Sequence, residues 1–159
     1  MNKLNTDTQL PQTIVNGCFL YKADCFDIFP QIESNSIDMI LCDLPYGTTS
    51  CKWDSILPFD KLWNEYKRVL KEDGVIVLTA SQPFTSALIM SNPEMFKYEI
   101  IWEKNKPSNI MQAKNSILKY HENILVFSNQ NICPTSKNQM KYYPQSMKKC
   151  DKKVKSVMK

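Results

Sequence analysis

Glycine and arginine are scarce in this chain of 159 residues, and each shortage excludes a class of site. The three glycines, Gly17, Gly47 and Gly74, lie far apart. A Gly-x-Gly loop that cradles a phosphate or a dinucleotide is therefore excluded. Arg68 is the single arginine, which leaves almost no side chain for bidentate contacts with guanine.

Paired cysteines and long apolar runs are also missing. The six cysteines form no Cys-x-x-Cys pair, so a zinc site is disfavoured and no metal is expected. No apolar stretch approaches the roughly 18 residues of a membrane span. Residues 1–12 are too polar for a secretion signal. We therefore expect a cytoplasmic protein with reduced cysteines and no membrane partner.

Charge is unevenly distributed along the chain, whose net charge is +4. Residues 137–159 carry eight lysines and one acid, whereas residues 1–136 carry 12 basic and 15 acidic side chains. We expect a flexible N-terminus over residues 1–14, one domain over 15–130 and a basic tail over 131–159. The tail either follows a phosphate backbone or is a solvated terminus.

Apolar periodicity predicts strands that alternate with helices. This order is typical of an α/β fold with a mostly parallel sheet, helices on both faces and a terminal antiparallel strand pair. Residues 104–120 are polar and form a long loop, and such loops are usually functional or mobile. The predicted strands are Phe19–Asp24, Ile37–Asp43, Val75–Ala80, Tyr98–Glu103 and Asn123–Ser128, and the predicted helices are Cys25–Ile32, Phe59–Leu70 and Phe84–Met90.

The sequence Asp43-Leu44-Pro45-Tyr46 directly follows an apolar strand, the place where open α/β sheets bind ligands. The Asp43 carboxylate and the Leu44 carbonyl can accept hydrogen bonds from an amino group, and the Tyr46 ring can stack on a flat ring. Together these groups suit the exocyclic amine of a nucleobase. A structural turn with a packing tyrosine is the plainer alternative.

The motif resembles the (Asp/Asn/Ser)-Pro-Pro-(Tyr/Phe) motif of DNA amino-methyltransferases, although Leu44 replaces the usual second-position proline. The resemblance extends to the β class, in which the catalytic motif precedes the cofactor motif, and to its phage and mobile-element subset. The further matching segments are Lys22–Cys25, Gly47–Asp54, Trp63–Lys71, Gly74–Phe84, Trp102–Lys104 and His121–Phe127.

The resemblance implies a Rossmann-like fold that uses S-adenosylmethionine as methyl donor. The implied reaction is site-specific methylation of adenine N6 in double-stranded DNA, with the target base flipped out of the duplex. Such activity belongs to restriction–modification or phage-type DNA modification. An initial Asp at position 43 favours adenine, and cytosine N4 is the alternative.

The same resemblance implies that Asp43, Leu44, Pro45 and Tyr46 form the catalytic motif and that Asp24 binds the cofactor. Ser81 and Gln82 follow a strand end, and we expect them to line the cofactor or base pocket. The long polar loop supplies the expected contacts with DNA phosphates, from Lys104, Lys106, Asn109, Lys114 and Lys119. Each assignment has a plainer alternative: Asp24 caps a helix, and the loop lysines are solvated. Trp63 is expected in the core, and the single histidine, His121, is expected to be structural.

Family members carry a glycine-rich Phe-x-Gly-x-Gly cofactor loop after the target-recognition region, and the glycine positions exclude that loop here. Residues 15–130 are then the catalytic half of the domain, and residues 131–159 begin the other half. We expect an incomplete, C-terminally truncated enzyme. The alternatives are a split enzyme whose second chain supplies the glycine loop, and a non-catalytic nucleic-acid-binding remnant.

Overall fold

The computed structural model describes residues 12–145, which form a two-stranded hairpin and a four-stranded mixed sheet with helices on one face. Short 3₁₀ turns lie at Phe29–Gln31 and Ile110–Gln112. In chain order the elements are β1 (Gln12–Val15), β2 (Cys18–Tyr21), α1 (Cys25–Ile28), β3 (Ile37–Asp43), α2 (Phe59–Val69), β4 (Leu70–Ala80), α3 (Phe84–Ser91), β5 (Phe96–Glu103) and β6 (His121–Ser128).

The N-terminal hairpin is separate from the main sheet. β1 pairs antiparallel with β2, and the two connecting residues, Asn16 and Gly17, have φ angles of 50° and 81°. Asn-Gly suits a two-residue turn in which both positions need positive φ. Residues 12–14 therefore belong to β1 rather than to a flexible terminus, and β2 pairs with β1 instead of joining the main sheet. Residues 1–11 of that predicted terminus lie outside the described residues.

The main sheet has the strand order β3-β4-β6-β5. β3 and β4 are parallel, whereas β6 is antiparallel to both β4 and β5. The predicted α/β class and the terminal antiparallel pair are confirmed. The sheet is mixed rather than mostly parallel, because within residues 12–145 a helical crossover joins parallel neighbours only between β3 and β4.

One face of the sheet packs on the helices. Ile76, Leu78 and Ala80, alternate residues of β4, are fully buried, and Trp63 of α2 and Leu88 of α3 join them in the core. The predicted core position of Trp63 is thus confirmed. Within residues 12–145 the helices cover this face alone, which differs from the predicted helices on both faces. None of these helices is long and apolar enough to cross a membrane.

The opposite face of the sheet is apolar and partly open. Leu41 of β3, on this face, is 70% exposed. At the other edge of the sheet, side chains from residues 132–142 and the β5 residues Tyr98 and Ile100 line a cavity of about 470 Å³. These residues begin the predicted basic tail, whose last part, 146–159, lies outside the described residues.

Two predicted element ends are shifted. The helix predicted over Cys25–Ile32 is α-helical only to Ile28 and continues as a 3₁₀ turn, because Pro30 has no N–H for the helical ladder. The turn predicted over residues 71–74 lies inside β4, where the pairing with β3 is irregular. The bounds of the other predicted strands and helices of the main sheet differ by at most a few residues.

Arg68 joins α2 to the segment that precedes β3. Its guanidinium donates to the backbone carbonyls of Phe29 at 2.5 Å and Ile32 at 2.8 Å, and it pairs with Glu65 at 2.8 Å. A rigid, planar fork of donors is suited to several acceptors at once. The guanidinium of the single arginine is therefore used in contacts that stabilise the fold.

Replacing Arg68 with lysine should lower the free energy of unfolding by about 1–2 kcal/mol, because an ammonium group cannot reproduce this fork of bonds. Urea denaturation followed by circular dichroism measures the effect. The adjacent exposed Lys67→Ala is the control and should stay within about 0.5 kcal/mol of the wild type. An Arg68→Lys variant as stable as the wild type would contradict the role of the guanidinium.

Candidate active site

Asp43 is the last residue of β3 and lies opposite Thr79 of β4 in the parallel register. The Thr79 hydroxyl donates to Asp43 Oδ1. The Tyr46 hydroxyl lies 3.0 Å from the same oxygen and 2.9 Å from Thr79 Oγ1. A carboxylate offers about four acceptor positions, so Asp43 keeps capacity for a ligand's donors. Thr79 was not identified from the sequence, since only strand pairing brings it to Asp43.

Tyr46 packs against the helical layer through one side of its ring. The ring centroids of Tyr46 and Phe84 are 5.2 Å apart, with 25° between the planes. Burial raises the pKa of Tyr46 to about 12, so its hydroxyl is protonated at neutral pH and can donate. Because Tyr46 is only half-buried, part of its ring remains available to a flat ligand.

Leu44 attaches the motif to the hydrophobic core. Its side chain is 6% exposed and belongs to the core cluster, whereas Pro45 is half-buried. Burial of Leu44 therefore restrains the backbone at the position where related motifs have proline. The Leu44 carbonyl belongs to this restrained backbone, directly after Asp43 in the chain.

Asp54 organises the loop that follows the motif. Its carboxylate accepts hydrogen bonds from the backbone N–H groups of Gly47 at 2.8 Å, Thr48 at 2.9 Å and Thr49 at 2.6 Å. Gly47 has a φ of +67°, and an added Cβ would lie 3.0 Å from the Ile56 side chain. The sequence indicated only a turn at Asp54, since nothing in its spacing shows three convergent N–H donors.

The Thr49 hydroxyl and the same backbone N–H groups lower the pKa of Asp54 to about 2. These bonds favour the ionised carboxylate, which outweighs the opposing effect of burial. Asp54 is thus an anion that holds the loop beside Tyr46.

Ser81 and Gln82 follow β4 directly, two and three residues beyond Thr79. The Ser81 hydroxyl accepts a hydrogen bond from the Lys119 ammonium, and Gln82 Oε1 accepts one from the hydroxyl of Ser86 at 2.9 Å. Both side chains therefore lie at the edge of the sheet that carries Asp43.

Asp24 lies between β2 and α1, outside the main sheet. Its Oδ1 accepts a hydrogen bond from the backbone N–H of Phe26 at 2.9 Å and caps α1. The capping alternative is therefore what the structure contains. Only Oδ1 takes part in this cap, so the other carboxylate oxygen is left for further contacts.

The predicted DNA-contacting residues differ in their surroundings. Lys104 forms a salt bridge with Glu122, and Asn109 Oδ1 accepts a hydrogen bond from the backbone N–H of Lys119 at 2.8 Å. Lys106 and Lys114 are exposed. The single histidine, His121, is exposed at the start of β6.

Residues 12–145 contain neither a cluster of metal-binding side chains nor a disulfide. Among residues 12–145 there is no group of three or more His, Cys, Asp or Glu side chains that could hold a metal ion. The five cysteines of that range, Cys18, Cys25, Cys42, Cys51 and Cys133, are free thiols.

The family comparison covers most of the chain. Residues 37–157 match the family model N6_N4_Mtase, described as DNA methylase, and this range includes Asp43, Tyr46 and Thr79. The chain belongs to the N6/N4 DNA methylase family. The predicted resemblance is therefore confirmed.

Known DNA methyltransferases are similar to this chain in sequence or in fold. The Type II methyltransferase M1.MboII of Moraxella bovis is 29% identical over 120 residues, which are 69% of this chain and 45% of that protein. The chain thus spans about half the length of the curated relative.

Two solved structures have similar folds. The M1.HpyAVI–SAM complex has a TM-score of 0.50 and 22% identity, over 74% of this chain and 62% of that one. The cytosine-N4-specific PvuII DNA methyltransferase also has a TM-score of 0.50, with 12% identity over 69% of this chain and 48% of that one. Both support the α/β methyltransferase fold for this family member.

Replacing Asp54 with asparagine should lower the urea midpoint of unfolding at pH 6–7 and have little effect near pH 2. The folded-state pKa of about 2 lies below the ordinary value of 3.8 for an aspartate side chain. The carboxylate's contribution is therefore complete above about pH 5 and disappears as the pH falls toward 2.

Urea titrations of both proteins across this pH range measure the difference. Glu94→Gln, which neutralises an exposed acid elsewhere, is the matched control. A difference between wild type and Asp54→Asn that does not change with pH would contradict the ionic role of Asp54.

Proposed function

We propose that this chain transfers a methyl group from S-adenosylmethionine to the N6 amino group of adenine in double-stranded DNA. The observation that carries this proposal is the placement of Asp43 at the carboxyl end of β3, bonded to Thr79 and flanked by Tyr46. Membership of the N6/N4 family supports DNA as the substrate. The proposed setting is cytoplasmic DNA modification of the restriction–modification or phage type, as the name of the Type II relative suggests.

The target base must leave the duplex to reach Asp43. Flipping a base out of the stack costs a few kcal/mol. Stacking on an aromatic side chain returns about 1–3 kcal/mol, so the exposed part of the Tyr46 ring offsets much of this cost. The packing of Tyr46 on Phe84 supports this role, because it fixes the ring before the base arrives.

Asp43 and the Leu44 carbonyl accept hydrogen bonds from the two amino hydrogens of the flipped adenine, and the nitrogen releases one of these protons to Asp43 or to water once it is methylated. These two bonds draw the nitrogen lone pair out of conjugation with the ring and orient it for methylation. S-adenosylmethionine supplies an activated methyl group when it is bound. The contribution of the chain is then positioning and electrostatics, without a covalent intermediate.

The described residues fit part of S-adenosylmethionine. The Ser81 hydroxyl and the Gln82 amide, beside Asp43, suit its charged amino-acid end, and the second carboxylate oxygen of Asp24 suits ribose hydroxyls. The three glycines provide no cradle, since they lie in the hairpin turn, the Asp54 loop and β4. The remaining contacts are assigned to a polypeptide segment beyond residues 12–145 or to a second chain.

Labelled S-adenosylmethionine, unmethylated DNA and the purified chain provide the direct test. After hydrolysis of the DNA to nucleosides, the label should appear in N6-methyladenine. Asp43→Ala should reduce incorporation about 100-fold or more. Asp38→Ala, on the same strand, is the matched control and should retain incorporation.

Other outcomes distinguish the alternatives. Label in N4-methylcytosine would favour cytosine as the target, a second candidate supported by the fold similarity to the PvuII enzyme. DNA binding without any incorporation would favour a non-catalytic remnant. Incorporation that survives Asp43→Ala would contradict the proposed mechanism.

Two substitutions of Tyr46 distinguish the contribution of its ring to methyl transfer from that of its hydroxyl. Tyr46→Ala should reduce methyl transfer about 5- to 150-fold, because it removes the stacking surface for the base. Tyr46→Phe keeps that surface and should stay within a few-fold of the wild type. Steady-state transfer rates measure both variants, and equal losses would contradict a stacking role.

A further inference from the structure

The loop over residues 104–120 exposes large apolar side chains at its tip. Met111 and Ile117 are 98% and 94% exposed, and Ile110 is 60% exposed. Outside the loop, no large apolar side chain of residues 12–145 is more than 74% exposed. An apolar group of this kind on an otherwise polar segment is typical of an interaction site.

Internal hydrogen bonds give this loop a defined shape. The backbone N–H of Lys104 donates to the Tyr120 carbonyl at 2.6 Å, and that of Ser108 donates to the Lys119 carbonyl at 3.1 Å. Between these arms, the 3₁₀ turn Ile110–Gln112 forms the tip. These bonds satisfy polar backbone groups within the loop, while the side chains of Met111 and Ile117 stay exposed.

The loop rises from the edge of the sheet that carries Asp43. β5 ends and β6 begins at this edge, because Ile124 of β6 lies opposite Thr79, which lies opposite Asp43. The Lys119 ammonium also bonds to Ser81, directly after β4. The root of the loop is thus attached to the strand that positions the catalytic carboxylate.

The charge of the loop indicates the partner. Residues 104–120 contain four lysines and no acidic residue. Lys106 and Lys114 precede and follow the 3₁₀ turn Ile110–Gln112 in the chain, and both are exposed. A cationic surface around exposed apolar groups matches proteins that contact phosphates and insert apolar side chains between base steps.

We propose that Met111 and Ile117 form an apolar wedge that enters the DNA stack as the target base leaves it, while Lys106 and Lys114 bind the flanking phosphates. This inference rests on the proposed action on DNA. The wedge fills the gap that the flipped base would leave and so lowers the cost of flipping.

The test compares binding to an intact duplex and to the same duplex with one abasic site, at fixed salt. A wedge should favour the duplex whose gap already exists, so the wild type should bind it about ten-fold more tightly. Fluorescence anisotropy measures the affinity for each duplex. Neither measurement requires knowledge of the recognition sequence. The double variant Met111→Ala/Ile117→Ala should lose this preference while it still binds intact DNA.

Two further variants separate the parts of the proposal. Lys106→Gln/Lys114→Gln should weaken binding to both duplexes alike and reduce the slope of log K against log salt by about two. Ile14→Ala, an exposed isoleucine of β1, is the matched control and should keep the abasic preference.

Several results would overturn the wedge: equal binding of the two duplexes by the wild type, no binding to either, or an abasic preference that survives Met111→Ala/Ile117→Ala. A lowered urea midpoint in that variant would also overturn it, since the tip would then be packed on protein. The nucleoside assay tests the function separately. An abasic preference without methyl transfer leaves the wedge standing and refutes the proposed reaction.

Discussion

The parallel pairing of β3 with β4 is the constraint on which the candidate site depends. It places Asp43 opposite Thr79, and the Thr79 hydroxyl then bonds to one carboxylate oxygen. Parallel strands end at a common edge of the sheet. Ser81, which directly follows β4, therefore lies at the edge where β3 ends with Asp43. The antiparallel return of β6 brings the 104–120 loop to this edge as well. A different pairing of β4 would separate the acid from Thr79, Ser81 and the 104–120 loop.

The backbone after Asp43 is held from two sides. The Leu44 side chain enters the core, and the Asp54 carboxylate binds successive N–H groups that begin at Gly47. Related motifs obtain rigidity at the second position from a proline ring, whereas here side-chain packing supplies it. The geometry of the motif therefore depends on the core. A loss of packing around Leu44 would displace the Asp43 carboxylate and the Leu44 carbonyl, which are the acceptor groups of the candidate site.

The sequence predicted the strands of the main sheet, α2, α3 and the position of the motif, because each leaves a local pattern. It did not predict Thr79 or Asp54, whose importance arises from contacts made after folding. The apolar run of β3 indicated a strand covered on both faces. Within residues 12–145, however, β3 pairs with β4 alone and Leu41 is exposed. Local composition records what a strand is suited to pack against, but not which neighbours are present.

The 104–120 loop shows why composition alone did not identify an apolar surface. Its average polarity is high, yet some of its polar side chains are used within the fold: Asn109 bonds to the backbone, and Lys104 pairs with Glu122. What remains outermost is Met111 and Ile117. A lysine-only loop would bind phosphates at any point along a duplex, with an affinity set mainly by salt. In the complex that we propose, an apolar tip at the same edge as Asp43 adds a contact at the one point where the base leaves the stack.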